Sequence, residues 1–137
     1  MNQDALAQDE LALLDALEQC TLPLASLDHA THVKLGWLYL RRDPLLVAIE
    51  RFRTALRRYV TAHGHADRYH ETITWAYLVI IQERMERLGR DRGWDAFASA
   101  NPDLLAHGKQ VLSAYYRPET LQSELARRVF VFPDRAG

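Results

Sequence analysis

The residues of this 137-residue chain whose types and spacing could do chemistry are its six histidines. His29 and His32 stand three apart in LDHATHVKLGW, so a helix there carries both on one face. His70 opens the stretch HETIT beside Tyr69 and Glu71, and His63 and His65 flank Gly64. Neutral imidazole is the form that binds zinc, iron, copper or nickel. The partial positive charge at a helix N-terminus keeps an imidazole neutral. The pattern points to a mononuclear site for a divalent transition metal. His29, His32 and His70 are the first candidate ligands, with His63 or Glu71 as a fourth ligand or supporting partner. Three protein ligands and a water leave an open position, the arrangement of a catalytic metal. A metal-bound imidazole donates its other N–H to a carboxylate or carbonyl, and Asp28, Asp67 and Glu71 are the local candidates. Tyr69 and Tyr59 are candidate donors to a bound small-molecule substrate, and Glu71 and Tyr69 are the candidate catalytic groups. A second reading needs no metal: His70 and His32 move protons beside Glu71. A third is a non-enzymatic helical module that binds through Tyr115, Tyr116 and the apolar segment Val129 to Phe132.

These residues are useful only if the fold gathers them. The stretch Arg68 to Met85, RYHETITWAYLVIIQERM, is apolar on nearly every side from Ile73 to Ile81 and is expected to be the central helix. Gly89 and Gly93 end it, and Asp67 is a candidate cap for its start. A first helix is expected over Gln3 to Cys20. A second runs from an Asp28 N-cap, or a competing Ser26 cap, to about Arg42. Asp43-Pro44 reads as the N-cap and first residue of a third helix, with the stripe Leu45, Ile49, Phe52, Leu56, Tyr59, Val60. Arg51, Arg53, Arg57 and Arg58 lie mostly off that stripe and read as a solvated face. Gly36 offers a place where another helix approaches closely. Trp94 to Ala100 forms a short helix, Asp103 to Tyr116 one or two more, and Pro118 begins a last one through about Arg127. Val129 to Phe132 is an extended tail lying across the helices.

The expected fold is all-α: an up-and-down bundle of four main helices, with a short helical C-terminal third and an extended tail, in a single domain over residues 1–137. If successive helices run antiparallel, the start of the second, the end of the third and the start of the fourth meet at one end. Five histidines, and Cys20 with them, gather there, and only His107 stands apart. Plainer fates compete at each position. An HxxH pair arises by chance, and a buried histidine commonly bonds a carbonyl. His65 and His107 read as surface residues, and Cys20 as a small buried hydrophobe.

Composition removes several function classes. With 17 basic and 18 acidic residues there is no cationic excess for nucleic acid or an anionic membrane. One cysteine allows neither an internal disulfide nor an all-cysteine zinc site. The acidic start MNQDALAQDE reads as no signal peptide, and no apolar run is long enough to span a bilayer, so a cytoplasmic protein is expected. A homodimer is the default expectation for its assembly.

LDHATHVKLGWLYL, YHETIT and the closing YYRPETLQSELARRVFVFPDR together resemble a family of small bacterial all-α proteins of unknown activity. That family carries an HxxH motif, a YHxTxT motif and a final PDR. The resemblance covers roughly residues 27–135. It supports His29, His32 and His70 as a set, supplies no reaction, and draws attention to Ser123, Arg127 and Asp134. Physically, Arg127 and Asp134 read as a pair that pins the tail.

Overall fold

The computed structural model describes residues 6–135, and the expected first turn from Gln3 lies partly outside them. Among the described residues the chain is all-helical, with no strands: α1 (Gln8–Glu18), α2 (His29–Arg42), α3 (Leu45–Ala62), α4 (Glu71–Leu88), α5 (Trp94–Ala100), α6 (Pro102–Ala106), α7 (Gly108–Ser113), α8 (Pro118–Leu121) and α9 (Glu124–Arg128). Single 3-10 turns at Leu24–Ser26 and Ala66–Arg68 precede α2 and α4. No helix among the described residues is long and apolar enough to cross a membrane.

Helices α2, α3 and α4 pack on one another, α1 closes against α2 and α3, and the short helices cover α4 and the start of α2. The most deeply sealed helix is α2. Its residues Val33 and Leu35 to Arg41 are all buried, Arg41 by donating to the carbonyls of Arg90 (2.8 Å) and Arg92 (3.0 Å). The expectation that α4 is buried all round holds only in part, because Val79 is 44% exposed on its outer face. Gly36 makes the close approach expected of it. A methyl group there would stand 3.1 Å from both Ile81 Cδ1 and Leu78 Cδ2, so the absent side chain lets α4 lie tightly on α2.

Several caps differ from expectation. Asp28 caps α2 as expected, accepting from Thr31 N–H at 2.8 Å. Pro44, not Asp43, is the N-cap of α3. Asp67 does not cap α4, because a 3-10 turn intervenes and His70 takes that place. Ser123 splits the expected last helix by accepting from Ala126 N–H at 3.1 Å, which starts α9 afresh.

The tail crosses α4 as an extended strap. The Thr72 hydroxyl donates to Val129 O (2.8 Å) and accepts from Val131 N–H (3.1 Å). Tyr116 donates to Val131 O at 2.8 Å, and Phe130 stacks on Trp75. Arg127 and Asp134 both pin it, but not to each other as expected. Arg127 donates to the Asp67 carbonyl, while Asp134 takes the Arg117 N–H and the Thr120 hydroxyl. The arginine face of α3 is solvent-exposed as expected at Arg51, Arg57 and Arg58, and Arg53 alone is half-buried. Arg53 pairs with Glu71, Arg57 lies over the Tyr69 ring, and Arg58 reaches the Glu18 carbonyl.

Candidate functional site

Where the start of α2, the end of α3 and the start of α4 converge there is a pocket of about 400 Å³. That is within the range of small-molecule sites. Its depth is aliphatic and aromatic: Val33 from α2, Phe52, Leu56 and Val60 from α3, Ile73 and Ile81 from α4. Its polar lining is His29, His32, His65, His70, Arg68, Tyr69, Thr74, Tyr77 and Lys109.

Four of the six histidines therefore share one pocket, but they are employed differently. His70 Nε2 donates to Leu121 O at 2.6 Å, and its Nδ1 accepts the Ile73 N–H at 3.1 Å. Both ring nitrogens are consumed, and the bonding requires the neutral Nε2–H tautomer. Burial lowers its pKa, and the Arg127 charge adds to that. His29 Nε2 donates to Leu104 O at 2.9 Å, and its ring leans on Tyr77 with centroids 5.5 Å apart. His63 lies outside the lining. Its Nε2 faces Cys20 O at 3.3 Å and its ring packs on Tyr59 at 4.3 Å. The His65 ring makes no hydrogen bond to the described residues, and the His32 ring has only the Asp28 carbonyl beside it. Burial lowers the pKa of His32, helped by neighbouring His29 and opposed by the carbonyl and carboxylate of Asp28, so its imidazole is held neutral.

The ligand set expected from the sequence is not assembled. Among the described residues no three His, Cys, Asp or Glu side chains form a group that could hold a metal ion. The physical reason is visible in the bonding: His29, His63 and His70 each point a nitrogen at a backbone carbonyl. A carbonyl left at a helix end needs a donor, and a nearby imidazole N–H satisfies it.

Glu71 and Tyr69 meet, but behind the pocket. Glu71 is buried and is absent from the lining. Its carboxylate accepts the Tyr69 hydroxyl and lies against Arg53, with Nη2 at 3.0 Å and Nε at 3.2 Å from both oxygens. Burial pushes the Glu71 carboxyl up, but the Tyr69 and Arg53 hydrogen bonds outweigh it and hold the pKa below the usual value. Burial and the Glu71 partner raise Tyr69 to about 12. The carboxylate staples α3 to α4 and fixes the Tyr69 ring as one wall of the pocket.

The lining includes residues that the sequence reading passed over. His65 reaches the pocket because Gly64, at φ +77°, reverses the chain after α3, and the His65 N–H bonds back to Val60 O at 2.7 Å. That is the helix-ending turn for which glycine is suited. Lys109 and Leu112 arrive on α7. Gly108 makes this possible, since a Cβ there would collide with the His29 ring and the Tyr77 hydroxyl. The one available sequence signal is that glycine next to His107, within the expected helical stretch Asp103 to Tyr116 but read as part of the surface. The Tyr77 hydroxyl, its pKa raised to about 12 by burial, makes no hydrogen bond to the described residues.

Comparison with known protein families, curated proteins and solved structures gives no match.

Proposed function

We propose that this protein binds a small organic molecule in the pocket between α2, α3, α4 and α7, and that His32 is the imidazole that meets it. The observation that carries the reading is the division among the histidines. His29 and His70 are each fixed by a close ring bond to a distant carbonyl, whereas the His32 ring is held neutral with only the Asp28 carbonyl, one turn back, beside it. A neutral imidazole offers both a donor and an acceptor, so it can orient a ligand or exchange a proton with it. Glu71 contributes by positioning Tyr69. The test follows the histidine ring signals by NMR while the protein is titrated with a panel of small organic molecules. A ligand of this site moves the His32 signals and leaves those of exposed His107 in place. A panel that stabilises the protein but moves only signals outside the pocket refutes the reading.

A metal-dependent version keeps one observation in its favour, the four histidines lining one pocket. It requires His29 and His70 to leave Leu104 O and Leu121 O. Elemental analysis of protein made without a polyhistidine tag tests it, together with melting in added zinc, iron or copper. Bound metal and a raised melting temperature support this version.

A further inference from the structure

We infer that the ligand is an amphiphilic organic anion, a medium-chain carboxylate with its tail among the aliphatic residues and its head near Arg68 and Lys109. This rests on the reading of the pocket as a small-molecule site. The lining contains no aspartate or glutamate, and its two permanent charges, Arg68 and Lys109, are both positive. Neither has an ion-pair partner among the described residues, so within this lining both charges can meet a ligand. The nearest carboxylate on α4, Glu71, is turned away into Arg53 and Tyr69, so it does not repel an anion from the lining. Both cations are solvent-exposed, while Val33, Phe52 and Leu56 are buried beneath them. A ligand matching this gradient has one charged end and a plain hydrocarbon body. At ~30 Å³ per non-hydrogen group, 400 Å³ holds roughly a dozen such atoms, the size of decanoate.

The experiment compares decanoate, decanol and decylamine by isothermal titration calorimetry, each below its aggregation threshold. Decanoate is expected to bind about tenfold or more tighter than decanol, the gain of a charged hydrogen-bonded contact, with decylamine weakest. The double variant Arg68→Ala/Lys109→Ala changes only exposed side chains and is expected to bring decanoate down to the level of decanol. A second variant, Leu112→Trp, fills the pocket and is expected to remove binding of all three, with circular dichroism confirming the fold. Equal binding of decanoate and decanol overturns the anion preference while leaving the small-molecule site standing. Decanoate binding that survives Leu112→Trp in folded protein places the ligand elsewhere and overturns the assignment. If none of the three binds while other small molecules still move the His32 signals, the chemical class is wrong and the site remains.

Discussion

On one side of the start of α4, Glu71 accepts Tyr69 and Arg53, and Thr72 holds two backbone groups of the tail. On the other side, His32, His65 and Tyr77 line a pocket; the His65 ring and the Tyr77 hydroxyl bond none of the described residues, and the His32 ring has only the Asp28 carbonyl beside it. The two groups are only a few residues of helix apart, yet one is saturated and the other is open. A saturated buried network fixes geometry, and removing any member leaves a partner unsatisfied. An open set contributes little to folding and keeps its capacity for a ligand. Stability rests with the first set, where Glu71, a natural choice for a catalytic acid, is a support; binding by the second set is the proposal.

The largest expected effect comes from breaking the saturated side. Glu71→Ala leaves Arg53 and Tyr69 without their common acceptor. It should cost about 2–3 kcal/mol in urea unfolding, below the cost of a fully buried pair because Arg53 is partly exposed. A loss under about 0.5 kcal/mol would show that the carboxylate is not an anchor.

Gly108→Ala probes the pocket side from α7. The added methyl meets His29 and Tyr77, and displacing them should cost about 1–3 kcal/mol while reshaping the pocket. Ligand binding is expected to fall with stability, and unchanged binding would separate α7 from the site. Thr72→Val removes both hydrogen bonds to the tail and should cost about 1–2 kcal/mol. The Val131 amide should then lose its protection from hydrogen exchange while α2 keeps its own.

The smallest effect on stability belongs to the open side. His32→Ala should change unfolding by less than about 1 kcal/mol, since the ring has only the neighbouring Asp28 carbonyl to lose and the new space opens into an existing pocket. A pH titration of stability sharpens the contrast. His32 and His70 have folded pKa values below the ordinary 6.5, so the unfolded chain takes up their protons first. Stability is then complete above 6.5 and declines as pH falls from there through the folded values. Glu71 adds a separate acid loss, its contribution being present above 4.5 and disappearing as pH falls through its depressed folded value. His32→Ala should make the first decline shallower and leave the second in place. Thermal unfolding across pH measures both.

Much of the architecture was legible from residue order. Apolar periodicity, Asp28 as a cap, Gly36 as a contact point and the extended tail all depend on local pattern, and all are found in the fold. Antiparallel succession of α2, α3 and α4 was enough to bring His29, His32, His65 and His70 to one place. His65 was read as a surface residue because its inward position depends on the turn at Gly64. Lys109 was invisible because α7 reaches the pocket only by packing against His29 and Tyr77.

The sequence by itself determined an all-α chain, because helix periodicity is a local property, whereas the sharing of one pocket by four of the six histidines also needed the packing of α2, α3 and α4. The direction of each imidazole was decided by the tertiary structure alone. A ring nitrogen turns toward the strongest unsatisfied partner within reach, and for His29 and His70 those partners are the carbonyls of Leu104 and Leu121, 75 and 51 residues away. No spacing rule contains that information. It arises only when the C-terminal helices fold back over α2 and α4, leaving His32 as a neutral imidazole in the pocket lining.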